Sequence, residues 1–228
     1  MKPGQSEPVP VSFPLWARTA GSGTFLSLDG IDGCGKSTQC RLLADWLRGR
    51  GYKVTTCRDP GGTALGDQLR TLLLDSATPR TPEAETLLFM ASRAQLVAEV
   101  IRPALDRGEV VVSDRYLLST VAYQGHGKGL DPFAIWQVGG FGCHGFRPDL
   151  TLVLDLPVEV AFARLNRPSD RMESLGEEFF EKVRQGFLDE ARIFRDHIRV
   201  IDANQPGEVV HAQIIKEVSR VLGTDSGT

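Results

Sequence analysis

The chain has 228 residues, 41% hydrophobic and 24% charged, with a formal net charge of −3. This is an ordinary globular composition, long enough to bury a core without disulfides or a structural metal. The slight acidic excess argues against duplex nucleic acid as the main partner, and no apolar run approaches the eighteen or so residues of a membrane span. The four cysteines, Cys34, Cys40, Cys57 and Cys143, are too far apart for a metal knuckle and read as reduced cytoplasmic thiols.

Residues 1–23 carry Pro3, Pro8, Pro10 and Pro14 without a compact apolar stretch, and are expected to form a flexible extension. Phe25–Asp29 is the first predicted strand. A helical pattern follows through Leu42, Leu43, Trp46 and Leu47, and Gly49 and Gly51 end it. Lys53–Cys57 is the second strand. Thr81-Pro82-Glu83 is a helix start, with Thr as cap and Pro in the first turn, and the helix is expected to reach Arg107 with a kink near Pro103. Val110–Asp114 is a continuous apolar strand of the kind buried on both faces. Leu152–Leu156 and Arg199–Asp202 complete a set of five, and a last helix starts at Pro206. Alternating strands and helices predict one α/β domain, residues 24–222, built on a parallel sheet; residues 223–228 are expected to fray.

Gly30-Ile31-Asp32-Gly33-Cys34-Gly35-Lys36-Ser37 fills every fixed position of the phosphate-binding pattern GxxxxGK[ST], with Thr38 continuing into the helix. The loop leaves a strand and opens a helix, as the pattern requires. Its backbone N–H groups would converge on ATP phosphates, Lys36 would neutralise the β- and γ-phosphates, and the Ser37 hydroxyl would hold Mg²⁺. GTPases, motor ATPases and small-molecule kinases all use such a loop. The chain has no Asn-Lys-x-Asp motif for reading guanine, which weighs against the first.

Further segments suit a second phosphorylated ligand. Arg58-Asp59-Pro60-Gly61-Gly62-Thr63 follows the second strand, where ligands of parallel sheets gather. Arg70 lies in the next helix, and Phe89 and Arg93, four apart, share a helix face. Asp114-Arg115-Tyr116 ends the third strand, and Thr120, Tyr123 and Gln124 follow. Singly, Phe89 reads equally well as core, Arg93 as a solvated helix residue and Arg58 as part of a turn. Asp114 resists such a reading, because a carboxylate at the end of a buried apolar strand is costly without a metal or cation to meet it.

Together these segments resemble the thymidylate kinase family, from about Phe25 to Leu222. The Arg-acid-Pro-Gly-Gly stretch, Leu87–Arg93, Asp114-Arg115-Tyr116 through Ala122-Tyr123-Gln124-Gly125, and Arg147-Pro148-Asp149-Leu150 carry the resemblance. It implies a P-loop kinase fold with a five-stranded parallel sheet and a short lid, transfer of the ATP γ-phosphoryl group to dTMP with Mg²⁺, and a homodimer. By that resemblance Phe89 stacks on thymine, Arg93 meets a base carbonyl, Thr120 and Gln124 read the base edge, and Tyr123 crowds a ribose 2′-hydroxyl. Arg58, Arg70 and Arg115 gather at the dTMP phosphate, and Ser37 and Asp114 lie at the metal. Gly33 occupies the position where part of the family carries a loop arginine, so the cation over the transferring group is expected from a lid at about 164–174, from Arg167 or Arg171. The expected catalytic set is therefore Lys36, Asp32, Arg115, Arg167 and Arg171.

Asp59 stands where the family usually has Glu, so it is expected to reach the metal region through water. Cys34 replaces a common Ser and is a candidate for attack by thiol reagents. Two other functions fit the phosphate loop. A deoxynucleoside kinase would need Asp32 or Asp114 as a base for a sugar hydroxyl. A non-catalytic ATP-sensing module would not need the full charge set.

Overall fold

The computed structural model describes residues 23–75, 77–164 and 176–224. Among them run five strands: β1 (Thr24–Asp29), β2 (Val54–Arg58), β3 (Val110–Asp114), β4 (Leu150–Asp155) and β5 (Ile198–Asp202). All pair in parallel in the order β2-β3-β1-β4-β5. Parallel strands need crossovers that return the chain to the same end, and here the crossovers are helical. They are α1 (Lys36–Arg48), α2 (Ala64–Leu74), α3 (Pro82–Leu96), α4 (Arg102–Asp106), α5 (Leu117–Thr120), α6 (Pro132–Gly142), α7 (Val158–Arg164) and α8 (Glu177–Ile193), with α9 (Gly207–Val221) after β5.

The alternation of the strands sorts the core. Val110 and Val112 pack in the cluster that contains Leu43 and Leu47 of α1 and Ile214 of α9. Val111, pointing the other way, joins Leu96, Ile101 and Leu105. Both faces of β3 are thus dry, as its unbroken apolar run predicts. β3 has the expected bounds, and the other four strands differ from the sequence expectation by one or two residues; β2, for instance, extends to Arg58, which pairs in register with Asp114.

The predicted helix from 82 to 107 is present but not uniform. Val97–Ile101 forms a π-helical turn between α3 and α4, in which the Arg102 N–H reaches back to the Val97 carbonyl. Pro103 has no N–H, and its ring crowds the carbonyl four residues earlier, Glu99, which lies within the widened turn. The irregularity therefore precedes the proline rather than sitting at it. Val121–Gly127 is a second π-helical turn, continuing α5, with the Lys128 N–H bonded to the Tyr123 carbonyl at 3.0 Å. Helix starts follow the expected chemistry. Thr63 and Thr81 cap α2 and α3, accepting from Gly66 and Ala84, and Asp131 caps α6. At the C-terminal end, Gly223 and Thr224 donate to the carbonyls of Arg220 and Ser219, so the end of α9 is capped at these two residues.

Candidate active site

The carboxyl ends of β1, β2 and β3 face one opening, and the residues that follow each strand build the site. After β1 the loop 30–35 turns through positive φ at Gly30 (136°), Gly33 (83°) and Gly35 (95°). The loop also runs too close to its neighbours for a side chain. A Cβ on Gly33 would lie 2.3 Å from the Ala161 carbonyl oxygen, and one on Gly30 would lie 2.6 Å from that of Leu154. Glycine is needed here on both counts. Lys36, only 6% exposed, donates from Nζ to the Ile31 carbonyl at 2.7 Å, so its charge lies inside the loop. Cys34 is 3% exposed, which shields it from the thiol reagents that the sequence leaves open.

Asp114 comes from the end of β3, and its Oδ2 accepts from Ser37 Oγ at 2.5 Å. The next residue, Arg115, is held at φ 69°, an unusual backbone for a side chain of that size. Its N–H bonds Leu28 O at 2.9 Å, and the guanidinium reaches Gly30 O (3.0 Å), Ser119 Oγ (2.9 Å) and Asp32 Oδ1 (2.7 Å). Tyr123 donates to the other Asp32 oxygen at 2.9 Å. Burial works against the Asp32 charge, but Arg115 and Lys36 outweigh it and hold the carboxyl well below the usual carboxylate range. Tyr123 is buried among Phe179, Phe180 and Phe187, and its phenol is pushed far above its ordinary value.

Asp59 follows β2, with a cis peptide to Pro60. It is not directed at solvent or at the loop lysine; its Oδ2 accepts from Nε of Arg93, which is itself 1% exposed. Arg93 also donates from Nη2 to Thr120 Oγ1 at 2.8 Å and lies over the Tyr116 ring. The Thr120 hydroxyl is thus an acceptor for Arg93. The second Asp59 oxygen, Oδ1, is buried with no hydrogen-bond partner. Arg70 donates to the Pro60 carbonyl at 3.1 Å.

These residues line two adjoining cavities. One of about 350 Å³ is polar and contains Gly33, Gly35, Lys36, Ser37, Thr38, Arg58 and Asp114. The other, about 300 Å³, contains Phe89, Arg93, Ser119, Thr120, Tyr123 and Gln124, with Leu73 and Leu74 at its side. Asp32, Asp59, Arg70 and Arg115 belong to both. Arg167 and Arg171, and the lid apart from Arg164, lie outside the described residues, as does the N-terminal extension up to residue 22.

Sequence reasoning missed one charged group. Glu85, 1% exposed, accepts from Gln124 Nε2 (2.9 Å) and Lys128 Nζ (2.5 Å), and Arg80 Nε lies 3.5 Å from its other oxygen. Residues 80, 85, 124 and 128 form no motif. The available signal is that Glu85 stands four and eight residues before Phe89 and Arg93 on one helix face.

The donor set suits a Mg²⁺–nucleotide. Ser37, Asp114 and Asp59, whose Oδ1 is buried without a hydrogen-bond partner, are all oxygen donors among the residues that line the polar cavity. No group of three or more His, Cys, Asp or Glu converges as a metal cage among the described residues. A hard cation held partly by phosphates and water needs no such cage.

A glycine-lined loop opening a helix at the centre of a parallel sheet, beside a second pocket walled by arginines and an aromatic ring, defines a P-loop phosphotransferase with two ligand compartments. The comparisons narrow this. The thymidylate kinase family profile matches residues 28–214, so the chain belongs to the thymidylate kinase family. It is 46% identical over 204 residues to the thymidylate kinase of Bifidobacterium longum strain DJO10A, covering 88% of this chain and 99% of that one. With the Rhodopirellula baltica thymidylate kinase it shares 44% over 200 residues, 88% of this chain and 79% of that protein. The crystal structure of the Ehrlichia chaffeensis thymidylate kinase superposes with a TM-score of 0.71 at 33% identity, covering 86% of this chain and 98% of the other.

Proposed function

We propose that the protein transfers the γ-phosphoryl group of ATP to the phosphate of dTMP, giving ADP and dTDP on the route to dTTP. The observation that carries this reading is the shared wall: Asp32, Asp59, Arg70 and Arg115 separate a phosphate-loop cavity from one with an aromatic face and polar side chains. Two anions placed on either side of that wall repel each other, and the protein must supply the compensating charge. Lys36 meets the donor phosphates, while Arg58, Arg70 and Arg115 meet the acceptor phosphate. Mg²⁺ near Ser37, Asp114 and Asp59 adds charge on the donor side. Arg167 or Arg171 is assigned to the transferring group itself.

The acceptor phosphate is already an anion near neutral pH, so the reaction needs positioning and neutralisation rather than a base. Asp32 fits this division. Pinned by Arg115 and Tyr123 and held ionised far below its normal range, it is a poor proton acceptor and a good anchor for Arg115. That weighs against a sugar-hydroxyl acceptor. In the second cavity Phe89 offers its ring to the base, Arg93 donates to a base carbonyl, and Gln124 faces the base edge from the opposite side. Tyr123 packs against the sugar.

A homodimer completes the proposal. Leu87 on α3 and Phe133, Val138 and Phe141 on α6 are exposed, Phe141 at 82%, and the two helices pack together. Exposed apolar side chains on two neighbouring helices suit burial against a second copy.

The test is ADP release with Mg-ATP and a panel of dTMP, dUMP, CMP, GMP, AMP and thymidine. Turnover is expected with dTMP, weaker with dUMP, and lowered about 10²–10³-fold or more in Lys36→Ala. Turnover confined to thymidine would remove Arg70 and Arg115 from the acceptor phosphate. ATP binding without turnover on any acceptor would leave a sensing module.

A further inference from the structure

We infer that Glu85 is a positioning residue that fixes which end of the Gln124 side chain faces the nucleobase, and thereby makes the acceptor site selective against cytosine. The inference rests on the proposed seating of the base between Phe89, Arg93 and Gln124.

A glutamine amide has a donating and an accepting end of nearly equal size, so a free Gln can turn to suit either kind of base edge. Gln124 is not free. Its Nε2 donates to Glu85 Oε1 at 2.9 Å, and the same oxygen takes Lys128 Nζ at 2.5 Å. Arg80 lies 3.5 Å from the second oxygen. Two cations beside a carboxylate that is 1% exposed favour its ionised form, which can only accept. Turning the amide over would set Gln124 Oε1 against an anion in a buried site. The NH₂ end is therefore committed to Glu85, and Oε1 is the end left for the cavity that Gln124 lines.

Arg93 is committed in the same sense. A guanidinium has no acceptor, and Asp59 and Thr120 hold this one in place. The two readers together present a donor and then an acceptor. Thymine and uracil answer with a carbonyl oxygen and the neighbouring N3–H. Cytosine presents an amino group and a bare N3, which are mismatched at both positions. Each mismatch leaves buried polar groups facing like groups, a discrimination of about 10- to 100-fold per contact. Glu85 lines the same cavity, but its Oε1 is taken up by Gln124 and Lys128, and in this arrangement it acts on the base through Gln124.

The experiment compares kcat/KM for dUMP and dCMP, which differ only on this edge and both lack the thymine methyl, in the full-length enzyme and three variants. In Glu85→Gln the neutral amide can accept or donate, so Gln124 can turn. The dUMP:dCMP ratio is expected to fall at least tenfold, with kcat for dUMP within about threefold of the parent and the change carried by KM. A purely structural role for Glu85 would lower both acceptors alike and leave the ratio unmoved. Gln124→Met removes the reader and is expected to collapse the ratio as well. An unchanged ratio in Glu85→Gln beside a collapsed one in Gln124→Met overturns the inference and leaves the base-reading role of Gln124 standing. An unchanged ratio in Gln124→Met overturns that reading, and the inference with it. If Glu85→Gln shows no cooperative melting, Lys128→Met decides. It strips one cation from Glu85, and a fall in the ratio of threefold or more supports the inference, whereas an unchanged ratio refutes it.

Discussion

The Asp59–Arg93 pair offers a sharp energetic test, because its two halves do not fail in the same way. Both side chains are buried, and Arg93 cannot shed its proton at any accessible pH. Replacing Asp59 by Asn keeps the volume and removes the counter-charge, stranding a guanidinium whose remaining partners are Thr120 Oγ1, Met90 Sδ and the Tyr116 ring. Breaking a buried pair from one side costs about 3–5 kcal/mol. For a chain of this size that corresponds to about 6–20 °C in Tm at 2–4 °C per kcal/mol. Arg93→Met strands Asp59 instead, but a carboxyl group has an escape. Burial already pushes its pKa up, against the pull of Arg93, and without that pull it can take a proton. Asp59→Asn is therefore expected to be the more damaging single change. The double variant, with no buried charge left, should lose less than the sum of the two. Urea unfolding of the four proteins at pH 7.5 measures all three quantities. An Asp59→Asn loss below about 1 kcal/mol, or single losses that simply add, would refute this description of the pair.

The same geometry sets other outcomes. Because the folded pKa of Asp32 is depressed, the unfolded chain binds the extra proton in acid, so the stability Asp32 confers is complete above its ordinary range near pH 4 and declines as pH falls further. Urea midpoints of the parent and Asp32→Asn should therefore differ by a constant amount from pH 5 to 8 and converge below about pH 4; a gap that widens in acid contradicts this sign. Gly139→Ala would place a Cβ 2.4 Å from Leu117 Cδ1, and overpacking of this kind costs about 1–3 kcal/mol. A calorimetric Tm equal to the parent's would show that Leu117 moves aside freely. Phe89→Ala removes the aromatic wall of the second cavity, and the KM for dTMP is expected to rise about 10- to 100-fold with kcat little changed, on a stacking contribution of about 1–3 kcal/mol. Initial rates across dTMP concentrations test this, and a change confined to kcat would remove Phe89 from the base.

The features legible in the chain alone are those that repeat locally. The five strands announce themselves as short apolar runs, and the phosphate loop as a fixed spacing, because backbone geometry dictates both. Pairings between distant positions leave less trace. The residue pattern gives Asp59 and Arg93 separate tasks, near the metal and at the base, whereas they are bonded to each other across 34 residues. Thr120 is expected at the base edge, and its hydroxyl serves Arg93. Glu85 gives little signal beyond its spacing from Phe89 and Arg93, since an acidic residue in the first turn of a helix ordinarily faces solvent and complements the dipole; its burial depends on Lys128, 43 residues on, and on the loop bearing Arg80. The π-helical turns are likewise silent, although the proline beyond the first marks the neighbourhood.

The second of those turns bears on how this segment tolerates change. Bonds that span five residues instead of four leave Val121–Gly127 wound more loosely than an ordinary helix, with slack taken up between Thr120 and Lys128. Deleting one residue there would let the segment tighten into α-helix, leaving the flanking residues in place while the side chains inside the turn are re-aimed by up to about 100° around the axis. Gln124 and Tyr123 could then keep their identities and lose their address. The constraint on this stretch is therefore one of count as well as composition, and a library that varies its side chains while holding its length should retain far more active members than one that permits single-residue gaps.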